Sequence, residues 1–274
     1  MSFLTRGTGI AYGNAINWAH PLNRSLAGWW MTLPNRRSGA RVWDLTRKVD
    51  GTFASTVSVT GPQGRPGGYG AIYLDGDTDY ISVANHASHS GMDYLSIAMW
   101  IKPTLASPAG YGTLSSNWFG GGTNAWVWYQ MNTGAFQYFM NSGFVTSATG
   151  LVVASTWQHV AFTYDQANIR SYVNGVLVST LAKASGAVNA TTNILRFGDS
   201  TGGAEEYQGH IDDIRLVRRV YSDGDIRQLY NLTRTGYQGL LNRVEVPWMM
   251  GAVAAAGDAV PQVWRQYRQR RVNF

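Results

Sequence analysis

Strict two-residue alternation constrains this chain more than any other feature of its sequence. In Trp157-Gln-His-Val-Ala-Phe-Thr-Tyr164 an extended strand puts Val160, Phe162 and Tyr164 on one face, and Trp157, His159, Ala161 and Thr163 on the other. Leu95, Ile97, Met99 and Ile101 alternate in the same way with Ser96, Ala98, Trp100 and Lys102. Asn174-Gly175, inside Ile169–Thr180, supplies the two left-handed residues of a type I′ hairpin turn. Ala125–Met131 and Phe136–Met140 form a second expected pair around Asn132-Thr-Gly134. Strands recurring at this spacing across residues 25–232 predict an antiparallel sandwich rather than a parallel sheet. One short helix is expected after Ser222, which stands three residues before Asp225 as in a capping box.

The composition suits that reading. Of 274 residues, 45% are hydrophobic, 13% aromatic and only 14% charged, and 32 glycines are available for tight turns. Cysteine is absent, which excludes disulfides and thiolate metal sites. No continuous apolar stretch resembling a secretory signal opens the chain. The apolar run 246–260 is interrupted by Pro247, Gly251, Gly257 and Asp258, and is shorter than the roughly 20 residues a membrane span needs. A product made in the cytoplasm, without a membrane partner, is expected.

Charge is distributed unevenly. Residues 1–48 carry seven basic side chains against Asp44 (+6), residues 49–233 nine basic against thirteen acidic (−4), and residues 234–274 six basic against two acidic (+4). An acidic body with basic ends predicts three parts: an N-terminal basic arm (1–24), a sandwich (25–232) and a C-terminal basic arm (233–274). Trp264, Arg265, Tyr267, Arg268, Arg270 and Arg271 interleave rings and guanidinium groups and are the expected assembly anchor, toward protein or, alternatively, nucleic acid.

Six phrases carry a resemblance to a known family: Leu26-Ala-Gly-Trp-Trp30, Tyr73-Leu-Asp-Gly-Asp-Thr-Asp-Tyr-Ile81, Leu95–Pro103, Trp157–Asp165, Tyr172-Val-Asn-Gly-Val176 and Gly209–Leu216. In order and spacing they resemble successive strands of a laminin-G-like (LamG, concanavalin A-like) jelly roll over about 200 residues. The resemblance implies two packed antiparallel sheets and a module that binds sugars or proteins, often through a calcium ion at the rim, without catalysis in many members. His20–Trp30 also resembles, more loosely, LamG-containing structural proteins of tailed phages. That implies a virion component, in capsid decoration or the tail, whose partners are other virion proteins or copies of itself.

Some sandwiches of this class are glucanases with carboxylates at alternate positions of one strand. Here Glu205 and Glu206 are adjacent, so a strand would point them to opposite faces, and Glu245 is the only other glutamate. Asp75, Asp77 and Asp79 would align only in an extended strand; Asp75-Gly76 favours a turn, with calcium as the alternative role for the three carboxylates. The histidines at 20, 86, 89, 159 and 210 have no zinc-site spacing. Asn117-Trp-Phe-Gly-Gly-Gly-Thr-Asn124 places aromatics beside glycines, making Asn117, Trp118, Phe119 and Asn124 the expected ligand-binding residues, with Trp118 closing the core as the alternative. Three functions follow in order: a non-catalytic virion structural module, a lectin-like glycan binder, and, remotely, a glycoside hydrolase with an atypical site.

Overall fold

A computed structural model describes residues 16–31, 41–54, 58–60, 65–67, 70–105, 110–118, 124–200 and 205–242. Its strands are β1 (Leu26–Met31), β2 (Arg41–Asp44), β3 (Gly51–Phe53), β4 (Ser58–Thr60), β5 (Ala71–Asp75), β6 (Ile81–Val83), β7 (Leu95–Pro103) and β8 (Tyr111–Ser116). They continue as β9 (Trp126–Met131), β10 (Phe136–Met140), β11 (Phe144–Thr146), β12 (Gln158–Tyr164), β13 (Asn168–Val173), β14 (Val176–Ala182), β15 (Leu195–Phe197) and β16 (Gln208–Val217). One α-helix, α1 (Asp223–Arg234), follows.

The strands pair in the order β14-β13-β12-β7-β16-β1-β2 in a first sheet and β2-β3-β6-β15-β8-β9-β10-β11 in a second, with β2 common to both. All of these ladders are antiparallel, and β5, backed by β4, also pairs with β16. The fold is the expected all-β sandwich with a single short helix. The hairpin joining β13 and β14 turns at Asn174 (φ 50°) and Gly175 (φ 79°), the expected pair of left-handed residues.

Between the sheets lies the main core. Val160, Phe162 and Tyr164 of β12 enter it, as do Leu95, Ile97, Met99 and Ile101 of β7, which are the faces the alternation predicts. Aromatic rings meet across the gap: Phe162 lies 5.1 Å from both Trp128 and Tyr138 of the opposite sheet, edge-on. The Tyr138 hydroxyl is bonded to Ser171 Oγ at 2.8 Å, so the one polar atom of that ring is satisfied inside the core.

A second core covers the outer face of the first sheet. The adjacent Trp29 and Trp30 divide between the two, Trp30 entering the main core and Trp29 the second. Helix α1 buries Ile226 and Leu229 over Ala98, Ala161 and Tyr172. Its start is fixed by a reciprocal cap: Asp225 N donates to Ser222 Oγ, and Ser222 N to Asp225 Oδ2, both at 3.1 Å. Ile16 bridges to Leu241, and Asn23 Nδ2 donates to the carbonyls of Asn17 and Leu240 at 2.8 and 2.9 Å. Packing of the described residues therefore continues outside 25–232 on both sides. Among the described residues no helix is long and apolar enough to cross a membrane.

At the centre of this second core is a buried charge cluster. A bulge in β16 falls between Asp212 and Arg215, and Asp213 has a positive φ of 53°. The extra residue sends both carboxylates to the outer face, where alternation would have sent one inward. Arg65 answers them, at 3.1 Å from Asp212 and 3.5 Å from Asp213, and Arg215 lies 3.5 Å from Asp213. Arg65 also donates to Tyr237 Oη at 3.0 Å, and Trp29 Nε1 donates to Asp213 Oδ1 at 2.6 Å. The Arg215 guanidinium sits 3.4 Å over the Trp29 ring. Burial, with the Arg65 and Arg215 charges behind it, holds His159 down to about 3, so it packs against Trp100 as a neutral ring. Removing one partner from such a cluster leaves an uncompensated buried charge. Arg65→Met is expected to cost about 3–5 kcal/mol, seen as an earlier chemical-denaturation midpoint; an unchanged midpoint would contradict it.

Candidate functional site

The second sheet presents a different outer face. In β9, Trp126 and Trp128 enter the main core while Val127 and Tyr129 point outward. In β10, Phe136, Tyr138 and Met140 go inward and Phe139 outward. The register joins Ser116, Val127, Phe139 and Phe144 into one cross-strand row, and Thr113, Tyr129, Gln137 and Thr146 into the next.

An aromatic platform results. Trp118 lies 4.6 Å from Phe139 and 5.9 Å from Phe144, Phe139 5.2 Å from Phe144, and Tyr129 4.8 Å from Tyr111 and 6.3 Å from Phe144. Phe144 stays 47% exposed, which leaves an aromatic surface open at the middle of the group. Trp118 is half-buried, and its indole N–H, shielded from solvent, has no acceptor among the described residues.

Glu205 stands at one edge of the platform. Its Oε2 accepts from Tyr129 Oη at 2.8 Å and from the Ser200 hydroxyl. Its backbone carbonyl accepts from Thr113 N at 2.8 Å and from Thr113 Oγ1 at 2.9 Å, which ties it to β8. Burial and then the Glu205 carboxylate push the Tyr129 phenol well above its ordinary range, so it remains a donor.

Of the expected ligand residues that are described, Trp118 joins this platform. Asn117 is fully buried: its backbone pairs with Trp126 and Ala125, and its Nδ2 donates to the His89 carbonyl at 3.3 Å. It closes the base of the β8–β9 hairpin instead of facing a ligand. Asn124 is half-buried, its carbonyl accepting from Asn189 Nδ2 at 2.9 Å. Phe119 lies outside the described residues, as do Trp264, Arg265, Tyr267, Arg268, Arg270 and Arg271. Tyr111, Tyr129, Phe139, Phe144 and Glu205 were not anticipated. Two of them, Tyr129 and Phe139, stand on β9 and β10, strands that are apolar on both faces where a solvated outer face would be polar.

Asp75, Asp77 and Asp79 do not form a calcium cradle. The chain turns at Gly76 (φ 82°), Asp77 N donates to Asp75 Oδ1 at 3.0 Å, and Asp75 N to Asp79 Oδ2 at 3.3 Å. The Asp75 and Asp79 carboxylates serve the turn rather than an extended face, and no three acidic or histidine side chains among the described residues gather as metal ligands.

Comparison with known proteins places this geometry in a family. Residues 75–227, more than half of the chain, match the sequence family Laminin_G_3, described as the concanavalin A-like lectin/glucanases superfamily. The chain belongs to this superfamily. No curated protein sequence matches it. Among solved structures it is similar to the binding domain of Paraclostridial Mosquitocidal Protein 1 (TM-score 0.62, 12% identity, 77% of this chain and 52% of that one). It is also similar to the botulinum neurotoxin serotype D ligand-binding domain in complex with N-acetylneuraminic acid (TM-score 0.57, 17% identity, 76% and 50%). A third is domain 4 of AbnA, a GH43 extracellular arabinanase from Geobacillus stearothermophilus, in complex with arabinotriose (TM-score 0.59, 16% identity, 75% and 98%). The chain thus spans about half the length of the toxin domains and nearly all of the arabinanase domain.

The platform residues divide by burial. Phe139→Ala, which empties a buried site, is expected to cost about 3–5 kcal/mol, whereas Phe144→Ala should change stability by less than about 1 kcal/mol. Thermal unfolding of the two variants checks this; equal losses would show that Phe144 is a core residue and not an open surface.

Proposed function

We propose that this chain is a non-catalytic recognition module that binds a carbohydrate on the outer aromatic platform of its second sheet. The carrying observation is the exposed Phe144 ring packed among Trp118, Tyr129 and Phe139. Sugar rings present weakly positive C–H faces that pack on the negative faces of aromatic rings, while their hydroxyls need fixed polar groups nearby. Sugar ligands on two of the structural neighbours, N-acetylneuraminic acid and arabinotriose, support the same class of ligand. A protein receptor is the other kind of partner a binding fold of this type suits. The binding reading is preferred to hydrolysis because the sequence lacks the alternating strand carboxylates of the glucanases, and Glu205, beside the platform, is tied through Oε2 to Tyr129 and Ser200. Titration with neutral oligosaccharides, followed by tryptophan fluorescence and calorimetry, should show saturable binding without turnover. Phe144→Ala and Trp118→Ala should each weaken it tenfold or more; unaltered binding in both would reject the platform.

The uneven charge supports a wider setting, in which the module is mounted on a virion and its basic terminal segments attach it to other virion proteins or to copies of itself. In this reading Trp264, Arg265, Tyr267, Arg268, Arg270 and Arg271 are the anchor. Truncation after Asn242 should then leave a folded sandwich that no longer joins its assembly. Assembly of the truncated chain with unchanged affinity would reject the anchor.

A further inference from the structure

We infer that the carbohydrate taken by the platform is a neutral saccharide, and that Glu205 is the residue that selects it. This rests on the proposed sugar-binding reading. A carboxylate only accepts hydrogen bonds, so whatever binds beside Glu205 must offer hydroxyl or amide donors. Glu205 Oε2 already takes the Tyr129 and Ser200 hydroxyls, while Oε1 has no bond to a described residue and remains for the ligand. Its position is held at both ends, by those two hydroxyls and by the Thr113 bonds to its main-chain carbonyl. Tyr129 cannot turn its proton to an incoming anion without giving up its bond to Glu205.

Two of the described cations, Arg196 and Lys183, are engaged by other groups. Arg196 lies on the same cross-strand row, opposite Ser116, but it is 2.6 Å from Asp199 and stacks 4.6 Å over Tyr80. Lys183 donates to the carbonyl of Ser142, two residues before Phe144 in sequence. A sugar lying over the exposed Phe144 with its hydroxyls toward Glu205 donates hydrogen bonds to that carboxylate. A sugar that presents a carboxylate there meets a like charge in a partly desolvated setting, where repulsion is stronger than in bulk water.

The test compares the full-length protein with Glu205→Gln and Glu205→Asp on one panel. Its neutral members are arabinotriose, cellotetraose and mannotriose; its acidic members are N-acetylneuraminic acid and trigalacturonic acid. Affinities are read by calorimetry and folding by thermal unfolding. The unmodified protein should bind at least one neutral sugar and discriminate at least tenfold against both acidic ones. Glu205→Gln should lose tenfold or more in neutral-sugar affinity and narrow the neutral-to-acidic ratio, whereas Glu205→Asp, which keeps the charge, should lose affinity and keep the ratio. If Glu205→Gln does not fold, the Glu205→Asp ratio and the unmodified protein's own discrimination still decide. Preference of the unmodified protein for an acidic sugar overturns the inference, as does a Glu205→Gln variant with unchanged affinity and ratio. In both cases loss of binding in Trp118→Ala shows that the platform reading itself survives. Absence of binding to every sugar removes both.

Discussion

Two neighbouring carboxylates on one face of a strand are the constraint around which the rest of this molecule is arranged. Asp212 and Asp213 are almost fully buried, and a like-charged pair in such a setting persists only if cations are delivered to it. Arg215 comes from the same strand, but Arg65 arrives from a distant segment, and Trp29, Tyr237 and Asn23 add hydrogen bonds to Asp213, Arg65 and Arg215. The bulge that creates the problem lies where β16 changes partner along one edge, from β5 over Gln208–Ile211 to β1 over Ile214–Val217. A slip of either ladder by one residue would turn a carboxylate away from its arginine. Such a cluster adds little net stability over apolar packing, yet it penalises every misregistered alternative.

That arrangement separates the two outer surfaces of the sandwich. The face carrying the charge cluster is sealed by α1 and by the segments at 16–24 and 235–242, and its residues are occupied with one another. Over the outer face of the second sheet no such helix lies among the described residues. There the same alternation that builds the core leaves Val127, Tyr129, Phe139 and Phe144 in adjoining rows, with Trp118 brought alongside by the chain leaving β8. The proposed recognition surface is therefore the exposed edge of this smaller aromatic cluster, around Phe144.

Much of this was legible in the sequence because it depends on local chemistry. The faces of β7 and β12 follow from alternation, the β13–β14 turn from Asn174-Gly175, and the start of α1 from Ser222 and Asp225. Asp212 and Asp213 could be read as structural from their proximity to Arg215, but Arg65 could not be paired with them. Its partners are 147 and 148 positions away, and only the completed topology brings them together. Trp118 lies beside Phe139 and Phe144, whereas Asn117 is buried, because a polar residue beside a loop can equally well bond inward to close a hairpin. Tyr129 and Phe139 were hidden by strands apolar on both faces, where periodicity alone cannot say which face is outside.

The central claim is that ligand recognition belongs to the uncovered aromatic face. Nuclear magnetic resonance of the labelled protein, titrated with a neutral oligosaccharide that binds, tests it most directly. The account predicts shift changes concentrated on the indole N–H of Trp118 and on the amides of Tyr129, Phe139, Phe144 and Glu205, with the Trp29 and Trp100 indoles unmoved. Changes confined to the covered face around Trp29, Trp100 and α1, with the platform silent, would contradict it.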